Sequence, residues 1–376
     1  MNVLVTIPCL LTGGTEVQTL ALVEALIAAG HKVCVGCYFE HAPSMVERYR
    51  RAGASVRLFS PDGTRPQGIR RVTMHLLRNL RATVREFRPD VAHVQYMAPG
   101  AIPILLLKLS GVKKIVATAH TAADIYSPRG LQIIQWLSRR TLTGFQCITL
   151  AAEKSFFGSA AYFTPDTTIE PGAHFTINNT LPSTMTITDR KREIGSALVI
   201  GVVSRLEPIK GMDLVIPAFA EAAKVNPELN LIVAGDGSQR NLMEDQSRQL
   251  GISDRVRFIG RQLQENLPGV YDEIDILLMP SRSEGFGLTA IEGMARGCVL
   301  LASSIGGLPE VVIPEVGFTY LPDQESLGDA LKRVATTPKE SLQKLSDAAR
   351  ERARLFTPDR YREKIANLYK KIESAK

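Results

Sequence analysis

The sequence predicts an α/β protein with two doubly wound domains, and three observations carry that prediction. Short β-rich runs alternate with helix-like stretches along the whole chain, which is typical of parallel sheets with helices on both faces. The length of 376 residues exceeds the roughly 150 expected for one domain. A polar, irregular stretch over residues 182–196 separates two series of β-rich runs, so we place the junction between the domains near residue 190.

The β-rich runs define the order of the predicted strands. The first series contains NVLVTIP (2–8), KVCVGCYF (32–39), SVRLFS (55–60), VAHVQY (91–96), KIVATAH (114–120) and CITLA (147–151). The second series contains ALVIGVVSR (197–205), LNLIVAGDG (229–237), VRFIG (256–260), IDILLMPS (274–281), CVLLASS (298–304) and GFTYL (317–321). Ligands of doubly wound sheets bind at the carboxyl ends of strands, so we expect the functional residues there.

Composition narrows the class of protein. A hydrophobic content of 45% is typical of a globular chain, and the longest apolar runs, near Leu105–Leu107, are too short for a membrane span. The start MNVLVTIP predicts a strand rather than a signal peptide, so we expect a cytoplasmic protein. The five cysteines lie mostly in apolar runs and are expected to be buried free thiols. Cys34 and Cys37 have CxxC spacing but no second pair with which to bind zinc.

Positive charge is concentrated in the N-terminal half. Residues 1–190 contain 20 Lys and Arg against 12 Asp and Glu, whereas the remainder contains 25 against 26. The apolar spacing around residues 70–87 predicts an amphipathic helix that exposes Arg71, Arg78, Arg81 and Arg85. This surface predicts either an ordinary solvated helix face or peripheral contact with an anionic membrane, on the inner face of the cytoplasmic membrane. Nucleic acid is not expected, because the segment lacks interleaved aromatics and known binding motifs.

Two glycines, Gly13 and Gly14, follow the first predicted strand and precede a helix. Glycines allow a ligand to approach the backbone, and a helix N-terminus offers N–H groups to an anion, although a tight turn alone also needs glycine. The spacing is not GxGxxG, and no GxxxxGK[ST] is present. Both nicotinamide-dinucleotide and P-loop nucleotide binding are therefore disfavoured.

Two cations, Arg205 and Lys210, lie five residues apart where the first strand of the second series ends. An arginine suits bidentate phosphate contacts and a lysine suits a point-charge contact, although two surface cations beside a turn would look the same. Gly235 closes the next strand, where a simple turn is a sufficient explanation and close approach of a ligand is the alternative.

The segment SEGFGLTAIE (283–292) places Glu284 and Glu292 on either side of a glycine loop after a buried strand. Thr289–Glu292 has the Thr-x-x-Glu form of a capping box, which predicts that Thr289 is the N-cap of a helix. Glu292 then either caps that helix or binds a ligand. Glu284 stabilises no obvious element. A carboxylate beside a phosphate site has hydroxyls as its natural partners, so we expect Glu284 to bind a sugar.

The same segment, with its Glu-x7-Glu spacing, resembles the signature of retaining glycosyltransferases of the GT-B fold, in particular family 4. The resemblance spans nearly the whole chain, through segments that follow in the family's order: TGGTEVQTLALVEALIAAGHKV, RPDVAHVQ, TAH, SRLEPIKG, VAGDG, FIGR and SSIGGLPEVV. It implies two doubly wound Rossmann-like domains that face each other across a cleft. The expected parts are an acceptor-binding domain over residues 1–185, a nucleotide-sugar-binding domain over 186–360, and a C-terminal helix over 361–376 that packs back toward the first domain.

The resemblance also implies roles for matching residues. Arg205 and Lys210 neutralise the donor pyrophosphate, Glu284 holds donor-sugar hydroxyls and Glu292 holds the ribose hydroxyls. His120 matches a histidine beside the donor sugar and the reacting centre. The implied catalytic residues are His120, Arg205, Lys210 and Glu284, and the implied donor-binding residues are Gly13, Gly14, Arg205, Lys210, Gly235, Arg261, Glu284, Phe286, Gly287, Leu288, Thr289 and Glu292.

The implied reaction is transfer, with retention, of a hexose from a nucleoside-diphosphate sugar to a glycan or lipid-linked acceptor in bacterial surface polysaccharide, lipopolysaccharide or glycolipid synthesis. UDP is favoured over GDP. No cofactor or metal is expected, because cations and a helix N-terminus can stabilise the leaving phosphate, and the acids Asp272, Glu273 and Asp275 lie at the opposite end of their strand.

Three other functions stay open at this stage. They are a glycosidase that uses Glu284 and Glu292 as acid and base, a GT-B-like sugar-nucleotide epimerase or phosphorylase, and a non-catalytic nucleotide-sugar-binding subunit. A glycosidase would have no use for the phosphate-binding cations, which counts against that function. The presence of Arg205, Lys210, Glu284 and Glu292 together counts against a subunit that has lost its chemistry.

Overall fold

The computed structural model describes residues 1–95, 101–195 and 197–375. Three residues that fell within predicted segments, Tyr96, Ser196 and Lys376, lie outside these ranges. The chain divides into two compact units, one formed by Met1–Pro182 together with Pro358–Lys376 and the other by Ser183–Thr357. Among the described helices, none combines the length and the apolar character that crossing a bilayer requires.

The secondary structure follows the predicted alternation. The strands are β1 (Asn2–Ile7), β2 (Lys32–Cys37), β3 (Ser55–Leu58), β4 (Val91–Gln95), β5 (Lys114–Ala119), β6 (Gly144–Cys147), β7 (His174–Thr176), β8 (Val199–Val203), β9 (Asn230–Ala234), β10 (Val256–Gly260), β11 (Ile276–Met279), β12 (Val299–Ser303) and β13 (Gly317–Tyr320). The helices are α1 (Gly14–Ala28), α2 (Pro43–Arg51), α3 (Ile69–Phe87), α4 (Ile102–Leu109), α5 (Pro128–Thr141), α6 (Leu150–Phe157), α7 (Met212–Val225), α8 (Arg240–Gln249), α9 (Leu267–Asp272), α10 (Leu288–Ala295), α11 (Leu308–Val311), α12 (Gln324–Thr336), α13 (Lys339–Ala353) and α14 (Pro358–Ser374).

The first unit is a parallel sheet in the order β3-β2-β1-β4-β5-β6-β7, with helices on both faces. Successive side chains of β1 point to opposite faces. Val3 and Val5 pack in a core with α1, α2 and α14, whereas Leu4 packs in a second core with α3, α4, α5 and α6. The chain returns to this unit at its end, where α14 packs against α1 and fully buries Ile365 and Tyr369.

One predicted strand is wrong. CITLA (147–151) is not a strand, because β6 ends at Cys147 and α6 begins at Leu150. The helix starts there because the Thr149 side chain accepts a hydrogen bond from the backbone N–H of Ala152, which is the usual N-cap arrangement. The apolar run hides this signal, since its β-branched residues favour a strand over any short window.

The second unit is a parallel sheet in the order β10-β9-β8-β11-β12-β13, also covered on both faces. All six strands predicted for this half are present, so the predicted fold class of two doubly wound Rossmann-like units is confirmed. In each sheet the strand order reverses once, at β1/β4 in the first and at β8/β11 in the second. Such switch points leave a crevice beyond the carboxyl ends of the strands, where ligands bind.

The five cysteines are free thiols, as predicted. Cys34, Cys37, Cys147 and Cys298 are buried, and Cys9 is half-buried.

Candidate active site

The switch point of the second sheet brings a lysine and a glutamate together. Lys210 ends a short 3-10 turn after β8, and Glu284 lies in the loop after β11, the neighbouring parallel strand. Lys210 Nζ lies 2.6 Å from Glu284 Oε2, and Ser281 Oγ donates to the same oxygen at 3.2 Å. The two side chains are only 18% and 17% exposed, so solvent screens this ion pair less than an ordinary surface pair.

Arg282 holds the two loops in place. Its guanidinium binds both carboxylate oxygens of Asp213 at 2.6 and 2.7 Å, and it also donates to the carbonyl oxygen of Pro208 at 2.6 Å. Its backbone N–H donates to the carbonyl oxygen of Ile209. The loop that carries Glu284 is thereby tied to the turn that carries Lys210. Sequence reasoning missed Arg282, because a single arginine in a polar loop gives no signal of its partners.

A third strand end supports Glu284. Gly306 follows β12 with φ +56°, and a Cβ on it would lie 2.0 Å from the carbonyl oxygen of Glu284. The N–H of Gly307 donates to the same carbonyl oxygen at 3.2 Å. Only glycine allows this approach, which gives the IGG of the segment SSIGGLPEVV a physical reason.

The predicted capping box at Thr289–Glu292 is wrong. Helix α10 begins at Leu288, its N-cap is Gly287 with φ +92°, and no side chain caps it. Because Gly287 adopts the left-handed conformation, the helix starts two residues earlier than predicted, and Glu292 falls in the body of the helix. The N–H groups of Leu288 and Thr289 lie in the first turn and have no intrahelical acceptor, which is the arrangement that binds anions.

Glu292 is a buried carboxyl group with a buried partner. It is 5% exposed, and the Tyr271 hydroxyl donates to its Oε2 at 2.7 Å. Burial raises the pKa of Glu292 to about 7, although the hydrogen bond from Tyr271 opposes the rise. The carboxyl group is therefore partly protonated near neutral pH. No sequence pattern relates Tyr271 to Glu292, so this partner was also missed.

The remaining predicted residues of the second unit differ in exposure. Arg205 is exposed, and within the described residues it forms no salt bridge. Gly235 has φ +146°, and a Cβ there would lie 1.8 Å from the carbonyl oxygen of Ser204, so close backbone packing alone requires this glycine. Arg261 is exposed after β10. Phe286 is 2% exposed and packs edge-on against Phe356 at 5.7 Å, so its side chain belongs to the core.

In the first unit, one of the two predicted glycines lies against a buried acid. Gly13 caps α1, and a Cβ on it would lie 2.5 Å from Glu16 Oε2; Gly14 is the first residue of the helix. Glu16 is 7% exposed and accepts a hydrogen bond from Cys9 Sγ at 3.2 Å. Burial, reinforced by the charge of Glu16, raises the pKa of the Cys9 thiol to about 12. Cys9 is therefore an unreactive thiol at neutral pH.

His120 lies just after β5, where it is 8% exposed and its Nε2 lies 2.9 Å from Gln95 Oε1. Burial lowers its pKa to about 4, so the imidazole is neutral at pH 7. His93 is a structural histidine by contrast, because Tyr369 and Thr118 occupy both of its ring nitrogens, at 2.8 and 2.6 Å.

The acids at the start of β11 are each bound by an arginine. Arg296 binds both oxygens of Asp272, Arg257 pairs with Glu273, and Arg192 pairs with Asp275 at 3.2 Å. In the described ranges no group of three or more His, Cys, Asp and Glu side chains is arranged to hold a metal ion.

Two family models match the chain in succession. "Glycosyltransferase Family 4" matches residues 12–155 and "Glycosyl transferases group 1" matches residues 186–352. Together they cover most of both units, and the second spans every strand end that carries Lys210, Glu284 and Gly306.

Similar proteins carry related descriptions. A D-inositol 3-phosphate glycosyltransferase of Saccharomonospora viridis is 35% identical over 190 residues, which is 48% of this chain and 44% of that protein. One from Corynebacterium aurimucosum is 31% identical over 244 residues, which is 59% of this chain and 57% of that protein. The chain thus spans about half the length of these curated relatives.

The fold matches a solved structure almost end to end. The crystal structure of Anabaena HepE in complex with UDP and glucose has a TM-score of 0.77 at 18% identity, over 98% of this chain and 99% of that one. Two Rossmann-like parallel sheets, glycine-rich strand ends and the successive matches to both family models lead to one conclusion: this chain belongs to the family 4, group 1 glycosyltransferases of the GT-B fold.

Proposed function

We propose that this chain transfers a hexose, with retention of anomeric configuration and without a metal ion, from a UDP-sugar to a hydroxyl of a glycan or lipid-linked acceptor. The observation that carries the proposal is the contact between Lys210 and Glu284 at the switch point of the second sheet. A cation suited to phosphate and a carboxylate suited to sugar hydroxyls lie side by side there, which supports binding of a nucleotide sugar.

Lys210 and Arg205 bind the donor pyrophosphate. An ammonium group has three N–H donors, and Glu284 accepts one of those of Lys210, so two remain for phosphate oxygens. Arg205 is exposed at the end of the same strand and offers a planar pair of donors. The first-turn N–H groups of Leu288 and Thr289 add a partial positive charge. These groups stabilise the charge that develops on the leaving phosphate.

Glu284 binds hydroxyls of the donor sugar. Lys210 and Ser281 both contact its Oε2, and no hydrogen bond to its Oε1 is found in the described part of the chain. Oε1 is therefore the oxygen that accepts from a sugar hydroxyl, while Lys210 and Ser281 fix the orientation of the carboxylate. Glu292 accepts from the ribose hydroxyls, with Tyr271 fixing its orientation in the same way.

Retention is the stereochemistry that the resemblance to family 4 implies, and without a covalent nucleophile it requires attack on the front face of the donor sugar. The carboxylate of Glu284 is neutralised by Lys210, which makes it a poor nucleophile, and we assign no residue to a covalent intermediate. The acceptor attacks on the face that the leaving phosphate departs from, and that phosphate takes the acceptor proton. His120 acts as a neutral hydrogen-bonding group, because its pKa of about 4 leaves it uncharged at pH 7.

Metal independence is supported by the fate of the nearest acids. Asp272, Glu273 and Asp275 are each occupied by an arginine and lie at the amino end of β11, away from Glu284. The cations and the start of α10 supply the positive charge that a divalent ion supplies to other transferases. UDP as the nucleotide and a hexose as the sugar are supported by the complex of HepE with UDP and glucose.

The test is a panel of UDP- and GDP-hexoses with glycan and lipid-linked acceptors. We expect acceptor-dependent release of UDP that persists in EDTA, with a product one hexose heavier by mass spectrometry and an α-linkage, by NMR, from an α-linked donor. Conversion of the nucleotide sugar without any acceptor would instead indicate an epimerase, and phosphate-dependent release of a sugar phosphate would indicate a phosphorylase. Binding of the donor without any turnover would indicate a non-catalytic subunit.

A further inference from the structure

Three helices of the first unit form one outer layer. Residues of α3, α4 and α5 pack into the same core on one face of the sheet, and α4 contacts both of the other two. Their other sides are exposed to solvent. We call this exposed surface of α3, α4 and α5 the basic face.

The basic face is almost free of negative charge. Helix α3 carries five arginines, α4 one lysine and α5 three arginines, and the only acid on these three helices is Glu86. Glu86 is itself paired with Arg57 of β3. Within the described residues, none of the nine cations forms a salt bridge. Like charges at this density repel each other unless an anionic partner neutralises them.

Large apolar side chains stand exposed among these cations. Trp136 is 58% exposed and Ile133 is 54% exposed, and they lie on the outer side of α5 between Arg129 and Arg140. The spacing of these four residues, i, i+4, i+7 and i+11, places them in a single stripe. On the neighbouring helices, Met74 of α3 is 65% exposed and Leu109 of α4 is 75% exposed.

We propose that the basic face docks on an anionic lipid bilayer, with its cations at the headgroups and with Trp136 and Ile133 inserted at the interface. Basic charge alone would suit any polyanion. The exposed apolar residues favour a bilayer, because the headgroup boundary accepts both tryptophan and aliphatic side chains, whereas nucleic-acid bases would stack on Trp136 alone and heparin has no apolar face. Each cation near such a surface strengthens binding severalfold, and salt weakens the attraction.

Trp136 is the single tryptophan of the chain, so intrinsic fluorescence reports directly on the basic face. With vesicles of phosphatidylcholine and phosphatidylglycerol in equal parts, we expect a blue shift of its emission and quenching by brominated lipid. Phosphatidylcholine alone should give neither change, and added salt should release the protein from the anionic vesicles. Absence of binding to the anionic vesicles would overturn the proposal.

Two matched variants separate the basic face from net charge. Arg78→Glu with Arg81→Glu should weaken partition into anionic vesicles about tenfold or more. Arg50→Glu with Arg51→Glu makes the same change in charge on α2, which packs on the opposite face of the sheet, and should have a much smaller effect. Equal losses in both variants would show that binding depends on net charge alone and would overturn the assignment to the basic face. Thermal melts of both variants confirm that they are folded.

A third variant tests insertion. Ile133→Ser removes an apolar side chain without changing the charge, so it should reduce the blue shift of Trp136 and vesicle binding, while the affinity for heparin stays unchanged. If instead the wild-type protein binds heparin or RNA as tightly as vesicles, with no lipid quenching of Trp136, the face binds soluble polyanions and the membrane proposal fails. Glycosyl transfer to a soluble acceptor is measured separately, so this result is independent of the proposed reaction.

Discussion

Lys210 and Glu284 are 74 positions apart in the chain, yet their side chains meet at 2.6 Å where two parallel strands end side by side. This contact joins the two chemical tasks of a nucleotide-sugar site. In the proposed function, the lysine binds a phosphate while the carboxylate holds it in position, and the carboxylate binds a sugar while the lysine orients it. A change in either residue should therefore disturb both tasks, which makes the pair the most informative place to test the proposed function.

Glu284→Gln should reduce kcat/KM for transfer by about 100-fold to 1000-fold, because the neutral amide is a weaker acceptor for sugar hydroxyls and holds the Lys210 ammonium less tightly. The free energy of unfolding should fall by only about 1 kcal/mol, since a hydrogen bond of normal geometry remains possible. UDP release and urea unfolding measure the two effects. Ser283→Ala, at the exposed neighbouring position, is the control and should retain activity. Undiminished transfer by Glu284→Gln would remove the assigned role.

Arg282→Ala should lower kcat/KM about tenfold while it leaves stability nearly unchanged. The guanidinium ties the Glu284 loop to Asp213 and Pro208, but the pair with Asp213 is about one-third exposed, and such pairs add at most about 1 kcal/mol to stability. Asp213→Ala should give a smaller loss of the same kind.

The double variant tests whether these residues act together. Because both hold the same loop, Arg282→Ala with Asp213→Ala should cost less than the product of the two single losses. Losses that multiply independently would show that Arg282 does not act through Asp213.

Gly306→Ala should damage both stability and transfer. The new methyl group would meet the carbonyl oxygen of Glu284 at 2.0 Å, and φ +56° is unfavourable for alanine, so the loop must move. We expect a loss of about 1 to 3 kcal/mol in the free energy of unfolding and a larger fractional loss of transfer.

Gly328→Ala is the matched control. Gly328 lies inside α12, where a Cβ meets nothing within 4 Å. The same substitution there should stabilise the protein by up to about 1 kcal/mol and leave transfer unchanged. A Gly306→Ala variant that behaved like this control would refute the tight packing of Gly306 on Glu284.

The alternation of strands and helices was sufficient to predict the fold class, because the local pattern of apolar residues distinguishes a buried strand from an amphipathic helix. It was also sufficient to place Lys210 and Glu284 near each other, since both follow strands of one parallel sheet. The contacts that fix them were not predictable. Arg282 finds Asp213, and Gly306 approaches Glu284, only after three strand ends converge, and no local pattern encodes that convergence.

The start of α10 shows a different limit. Thr289–Glu292 has the composition of a capping box, but the left-handed conformation of Gly287 starts the helix two residues earlier. Sequence shows that a glycine can adopt that conformation and cannot show that it does. Because the helix starts earlier, Glu292 lies in the body of α10 rather than at its cap, and its carboxylate accepts a hydrogen bond from the hydroxyl of Tyr271.

The Glu292 carboxyl group should make stability depend on pH. Burial raises its pKa from 4.5 to about 7 in the folded protein, so the folded state retains a proton that the unfolded state loses first. Its favourable contribution is complete below pH 4.5, declines as pH rises, and is lost above pH 7. Urea unfolding between pH 4.5 and 8 should therefore show a decline, on the order of 1 to 3 kcal/mol from this group, that Glu292→Gln lacks.

Tyr271→Phe provides the complementary test. Its hydroxyl donates to the Glu292 carboxylate and so favours the ionised form, which means that its removal should raise the pKa of Glu292 further. The decline in stability should then extend to higher pH in Tyr271→Phe than in the wild type. At pH 7 Tyr271→Phe should also bind the donor more weakly than the wild type, because more of its Glu292 is protonated and ribose hydroxyls donate more strongly to a carboxylate than to a neutral acid. Identical pH profiles for the wild type, Tyr271→Phe and Glu292→Gln would show that Glu292 does not titrate in this range.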